Sequence, residues 1–398
     1  MGTSHASLAL QDPVIVSLIT SYARITDLHS LCLTNKSLSA YATRRLYHSL
    51  ILTNPSSALL ACETLRNTPQ LAAHVRGLVL GSGSPPLWQL LKRTFEFLPN
   101  LEALALDTRR VQLSWVFPCT PSFRLRDLRL GIPWDARVAA FVRAQPTLRA
   151  LWVLELAADY VLSPPTTPET QSHVSKDVDT NTNTGTGTGI ADPDEAKMDR
   201  KRETMTMDLP LLATLECPLR LAHAFVNCPL THLQVLGGGG DTMSSETDAT
   251  DSGTSDDLLP QRLIPRLARA SKTLRSLSFH DVPESCALMI VALVAQHCSQ
   301  LLYFGIIPLP SSPRSAIHDA LIRFKALVMI EFDISTWVPL PSGALQRTVV
   351  TELHVYRPSL RCVSLWISSR RFVWRYDAEM DLWAGHVDQR GVGGWKSV

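Results

Sequence analysis

Leu101-Glu102-Ala103-Leu104-Ala105-Leu106, Leu125-Arg126-Asp127-Leu128-Arg129-Leu130 and Leu148-Arg149-Ala150-Leu151-Trp152-Val153 carry one apolar pattern, L-x-x-L-x-L, three times within 53 residues. The pattern is preceded by Val75-Leu78-Leu80 and followed by Leu212-Leu215-Cys217 and Leu230-Leu233-Val235. It continues as Leu274-Leu277-Phe279, Leu301-Phe304-Ile306, Leu327-Ile330-Phe332 and Leu360-Val363-Leu365. Starts at Val75, Leu101, Leu125 and Leu148 lie 26, 24 and 23 residues apart, and those at Leu274, Leu301, Leu327 and Leu360 lie 27, 26 and 33 apart. One such hexad means little, but many near a single period mark an array of repeated units.

Between the hexads, apolar residues recur at three and four, as in Leu87, Leu90, Leu91 and Leu98, in Val138, Phe141 and Val142, in Leu288 to Val294, and in Ile317, Leu321 and Ile322. These are helical stripes alternating with short strands. A proline or polar residue stands before many hexads, as in Pro99-Asn100, Pro146-Thr147, Pro229 and Pro358-Ser359. Proline cannot continue a helix and so lets the chain extend into the next strand. No single unit can bury both its strand and its helix, so neighbours must stack around one continuous core. The expected fold class is α/β, with a curved parallel sheet and helices on its outer face. Over roughly residues 70 to 370 the chain resembles leucine-rich-repeat proteins, and the array is expected to span 70–385. Three residues after the third apolar site that family favours Asn or Cys, whereas here stand Gly83, Arg109 and Pro133. An irregular solenoid is therefore expected.

Residues 8–52 read as short helices. Asp12 before Pro13 places an oxygen-bearing cap ahead of the residue best suited to the first helical position. Val14, Leu18 and Ile19 share a face, and a second stripe runs through Leu28, Leu31, Leu38 and Leu46. With Leu10, Asp27-Leu28, Leu31, Leu33 and Asn35-Lys36, this segment resembles the F-box, and Leu46 to Leu52 resembles the join between F-box and repeats in fungal proteins of that type. Gln11 stands where the family prefers proline.

Two segments differ from the rest. Residues 163–207 run from Ser-Pro-Pro-Thr-Thr-Pro through a Thr-Gly tract, and 237–257 open with four glycines and carry Asp241, Glu246, Asp248, Asp251, Asp256 and Asp257 without a base. Both are expected to be disordered insertions. Neither glycine tract is followed by Lys-Ser or Lys-Thr, which excludes a phosphate loop. The first holds eight acids and five bases and the second six acids, so against the chain's net +2 the remaining body carries about +11. A basic body suits acidic partners. No run of basic residues or nucleic-acid motif is present, which argues against nucleic acid.

No apolar stretch approaches membrane-spanning length, no basic-then-apolar leader opens the chain, and a cytoplasmic or nuclear location is expected. The eight cysteines form no C-x-x-C pair, so no metal or cofactor is expected. No nucleophile elbow, zincin helix or kinase set occurs. His280-Asp281 is read as a polar turn, and Trp374 and Trp383 as a seal on the last repeat.

The F-box resemblance implies a non-enzymatic receptor of a Skp–cullin–F-box ubiquitin ligase, monomeric by itself. Leu10, Pro13, Val14, Leu18, Ile19, Leu28 and Leu31 would then dock the Skp-type adaptor. Alternation turns the third and fifth residues of each hexad away from the leucine core. On this ground Asp127, Arg129, Trp152, Tyr303, Met329 and Glu331, with Asp107, His280, Asp333 and Trp366 one step beyond, are the expected contacts to an unidentified target protein. The alternative is an interaction scaffold unrelated to ubiquitin, its N-terminal helices serving only as a cap.

Overall fold

A computed structural model describes residues 12–34, 36–81, 83–108, 112–156, 206–237, 259–270 and 272–388. Leu10 lies outside these residues, as do both expected insertions except for Thr206, Met207 and Gly237. Those ends need correction: Met207 is buried and donates its N–H to Ala224 O at 2.8 Å, and the Gly237 N–H donates to His280 O at 2.8 Å.

The protein is α/β. Among the described residues, thirteen strands form one open sheet and twelve α-helices accompany it. The strands are β1 (Ser49–Leu52), β2 (Gly77–Leu80), β3 (Ala103–Leu106), β4 (Asp127–Trp134), β5 (Ala150–Leu156), β6 (Thr214–Pro218) and β7 (His232–Leu236). They continue with β8 (Ser276–His280), β9 (Tyr303–Pro308), β10 (Met329–Asp333), β11 (Cys362–Ile367), β12 (Arg370–Asp377) and β13 (Leu382–Asp388). Their order in the sheet is their order in the chain. Strands β1 to β11 are parallel, each joined to the next by a crossover, as parallel pairing requires.

Two expectations change here. Residues 49–52, assigned to the helical segment, form the first strand of the sheet. At the other end the sheet is not purely parallel: Ser368-Ser369 is too short a connection for a crossover, so β12 and then β13 pair antiparallel.

The hexads are the strands. Leu78, Leu104, Leu128, Leu151, Leu215, Leu233, Leu277, Phe304, Ile330 and Val363 stand side by side in one unbroken row. The leading residues, from Val75 and Leu101 to Leu327 and Leu360, are buried as well. At β9 the register slips: Ile307, not the expected Ile306, pairs with Phe332 and enters the core. Ile306 bulges out with φ +57°, a conformation that β-branched residues rarely adopt. The core runs without a break from Ala58 to Trp383, with Trp374 and Trp383 buried at its end.

Successive units are tied by a repeated bond. The Arg76 carbonyl accepts from the N–H groups of Glu102 (2.8 Å) and Ala103 (2.9 Å), and the Arg126 carbonyl accepts from Arg149 (2.7 Å) and Ala150 (3.0 Å). The same fork recurs at Arg149, Ala213, Thr231, Arg275, Leu302 and Val328. Side chains just before the hexads add a second tie. Asn100 Nδ2 donates to Ala73 O (2.8 Å), Thr147 Oγ1 to Leu125 O (2.8 Å), Thr273 Oγ1 to Leu230 O (2.9 Å) and Ser359 Oγ to Leu327 O (2.5 Å). This satisfies buried carbonyls that would otherwise cost about 1–3 kcal/mol each.

The helical stripes pack on one face of the sheet through Leu87 and Leu91, Phe141 and Val142, Ile290 and Val294, and Ile317 and Leu321. Ahead of β1, the helices Pro13–Tyr22, Ile25–Cys32 and Lys36–His48 pack together through Val16, Leu28, Leu38 and Ala42. These four buried residues stand apart from the main core. The Asp12 side chain caps the first helix, accepting from the Val14 N–H at 2.8 Å.

Candidate functional site

The face of the sheet away from the helices carries the side chains that alternate with the leucine rows. Over β2 and β3 those residues are Gly77, Val79, Ala103 and Ala105, which are too small to fill the surface. They floor a depression of about 480 Å³, walled on one side by Asp127, Arg129, Trp152, Glu216 and Gln234. Asp127 and Arg129 are exposed and Trp152 is half-buried, as a contact surface requires. Partial burial pushes the Asp127 carboxyl above its ordinary value; Arg126 and Arg149 oppose this and Glu102 adds to it. Gln234 is buried, and its Oε1 has no partner among the described residues. Glu216 and Gln234 were not singled out from the sequence, although they occupy the fifth hexad positions after Leu212 and Leu230, where the same alternation rule finds them.

Farther along, the same face is closed. Tyr303 and Glu331, expected to be exposed contacts, are buried. The Glu331 carboxylate accepts from the Arg371 guanidinium and from Trp366 Nε1 (3.0 Å), and Arg371 Nη1 donates to Asp388 Oδ2 at 2.7 Å. Burial works to lower the Arg371 pKa, but the charge and hydrogen bond of Glu331, with Tyr303 and the bond to Asp388, together outweigh it and hold the pKa above its ordinary value. Burial first, then the Glu331 charge, keeps the Tyr303 phenol well above its usual range. The Tyr303 ring lies over Gly305, where an added Cβ would collide with its phenol. Ser276, Ser278 and Ser364 complete this buried polar layer. Arg371 and Asp388 belong to antiparallel strands without the hexad, so no pattern pointed to them.

Asp107 is exposed beside the depression, while Met329, Asp333 and Trp366 are partly buried around the closed end. His280 ends β8 half-buried, and burial lowers its pKa against the opposing charge of Asp281. Asp281 follows at a bend with φ +53°. The expected target contacts therefore do not form one site: Asp127, Arg129 and Trp152 line the depression, and Tyr303, Glu331 and Trp366 form the closed cluster.

A second exposed surface lies on the N-terminal helices. Val14 is 75% exposed, Leu18 58% and Ile19 41%, joined by Tyr22, Ile25 and Leu33. Pro13 is exposed at the first helical position, Leu31 is half-buried, and Leu28 is buried and holds the helices together rather than facing outward. Among the described residues no helix is long and apolar enough to cross a membrane, and no group of three or more His, Cys, Asp or Glu is placed to hold a metal ion. No protein-family model matches the chain, and no curated protein matches it either.

Proposed function

We infer that this protein is a non-enzymatic receptor, the target-recognition subunit of a Skp–cullin–F-box ubiquitin ligase. Its sheet is read as an irregular leucine-rich-repeat solenoid and the three helices ahead of β1, which end at His48, as an F-box-like docking segment. The observation that carries this reading is the apolar face of the helix Pro13–Tyr22. Four large aliphatic side chains on ten residues, Val14, Ile15, Leu18 and Ile19, are exposed there, next to Tyr22, Ile25 and Leu33. A patch of that kind marks a protein partner. The depression over β2 to β7, with an aromatic, an arginine and carboxylates at its wall, supplies the kind of anchors that hold a protein target.

The alternative, a scaffold whose helices only cap the array, leaves the exposed Val14 and Leu18 without a role. The two readings are separated by Val14→Asp/Leu18→Asp in the full chain. Both positions are exposed, so the fold is expected to survive, as circular dichroism would check. Co-purification with a Skp-type adaptor should be lost. Adaptor capture that persists in the folded double variant, or never occurs with the unaltered chain, rejects the receptor reading.

A further inference from the structure

The helix Lys36–His48 meets the sheet at the start of β2, and between them lies a pocket of about 510 Å³ lined by Arg44, His48, Ala73, His74 and Arg76. Four of its five lining residues are basic, and no acid lines it. Backbone geometry fixes the arrangement. The Arg76 N–H donates to the His48 carbonyl at 2.9 Å, which sets these two residues side by side on adjacent strand starts. Arg44 stands one helical turn before His48, on the same helix face.

The charge continues along the strand starts, where Arg76, Glu102, Arg126 and Arg149 follow one another as the second residues of successive hexads, linked by the forked carbonyl bonds. Adjacent strands place such residues about 4.8 Å apart. Glu102 is shared, its Oε1 accepting from Arg76 Nη1 at 2.6 Å and its Oε2 lying 3.4 Å from Arg126 Nη1. One carboxylate thus serves two arginines and leaves the edge with excess positive charge. Basic residues in the last turn of a helix also suit its dipole, but that explains Arg45 and His48 and not His74 or Arg76, which come from other segments.

We propose that this pocket binds the phosphoryl group of a phosphate monoester. A monoester dianion carries close to two negative charges and three acceptor oxygens, which spread over several donors. Guanidinium groups meet such oxygens in bidentate fashion. A carboxylate would leave most of these donors unused. The volume leaves room for more than a bare ion. This site is separate from the apolar docking face and the open depression, and it stands whether or not an adaptor binds.

The test is calorimetric titration of the full chain with two probes, inorganic phosphate and a phosphoserine tetrapeptide, the unphosphorylated peptide serving as control. Saturable binding of a phosphoryl probe is expected, weakened roughly tenfold or more by Arg44→Gln/His74→Gln, since charge-assisted hydrogen bonds to the phosphoryl oxygens are lost. Arg323→Gln, an exposed charge on a distant helix, should leave it unchanged. Arg44→Gln alone, on an exposed helix position, gives the same direction if the double variant folds poorly. Tighter binding of the phosphopeptide would assign the group to a modified polypeptide, and equal binding to a small phosphorylated molecule. Failure of both probes to saturate, or equal affinity in the unaltered and Arg44→Gln chains, overturns the proposal.

Discussion

Two stretches of one sheet face, built on the same leucine rows, have opposite character. Over β2 to β6 the outward positions hold Gly77, Val79, Ala103, Ala105, Asp127, Arg129 and Trp152, and the surface is open. Over β8 to β12 they hold Ser276, Ser278, Tyr303, Glu331, Ser364 and Arg371, all buried. The leucine rows are shared, so the outward side chains, the bulge at Ile306 and the antiparallel strands at the far end decide which part of the face can receive a partner. The closed part depends on Arg371, brought over Glu331 by the antiparallel turn at Ser368-Ser369, where β12 places Arg371 opposite Trp366.

The largest effect should come from breaking that closure. Glu331→Ala leaves the Arg371 charge with only Asp388 and strips the acceptor from Trp366, and removing one partner of a buried pair costs about 3–5 kcal/mol. Urea denaturation would measure it, and a loss below about 1 kcal/mol, the level of exposed pairs, would mean that the cluster is solvated and the contrast false. A matched pair of small enlargements sharpens the comparison at lower amplitude. Gly305→Ala drives a methyl into the Tyr303 ring and should cost about 1–3 kcal/mol through overpacking. Ala105→Leu adds more volume on the floor of the depression, yet should change stability by no more than about 0.5 kcal/mol. Equal midpoints for the two variants would remove the distinction between an open and a closed half.

This contrast was only partly legible in the chain. The leucine rows were, because burying one face of a strand forces a period of two and stacking forces a period of units. Which outward residues stay exposed was not. Tyr303 and Asp127 occupy the same hexad position, and the difference between them arises from Gly305, the bulge at Ile306 and a strand far ahead in sequence. The family's ladder position falls at Gly83, Arg109 and Pro133, while the ties between units come from Asn100, Thr147, Thr273 and Ser359, just ahead of the hexads. Asn100, Thr147 and Ser359 belong to the punctuation ahead of the hexads, and Thr273 does not. Their hydroxyl and amide donors reach the preceding unit, a long-range role that local pattern does not encode.

The smallest effect concerns Asp127 at the wall of the depression. Its folded pKa is raised, chiefly by burial, so the folded chain holds this proton more tightly than the unfolded chain does. Above the folded value the ionised carboxylate therefore costs stability. As pH falls through the folded value and then below the unfolded one, that cost disappears. Asp127→Asn should accordingly raise the urea midpoint slightly at neutral pH, with the gain over the unaltered chain vanishing in acid. A group that weakens its own fold while lining an open depression is placed for contact rather than for stability. A variant less stable at neutral pH, with the deficit closing in acid, would instead mean that the neighbouring Arg126 and Arg149 outweigh burial. Asp127 would then belong with Glu331 as an internal ion-pair partner, and the open half would lose its clearest claim to a function of its own.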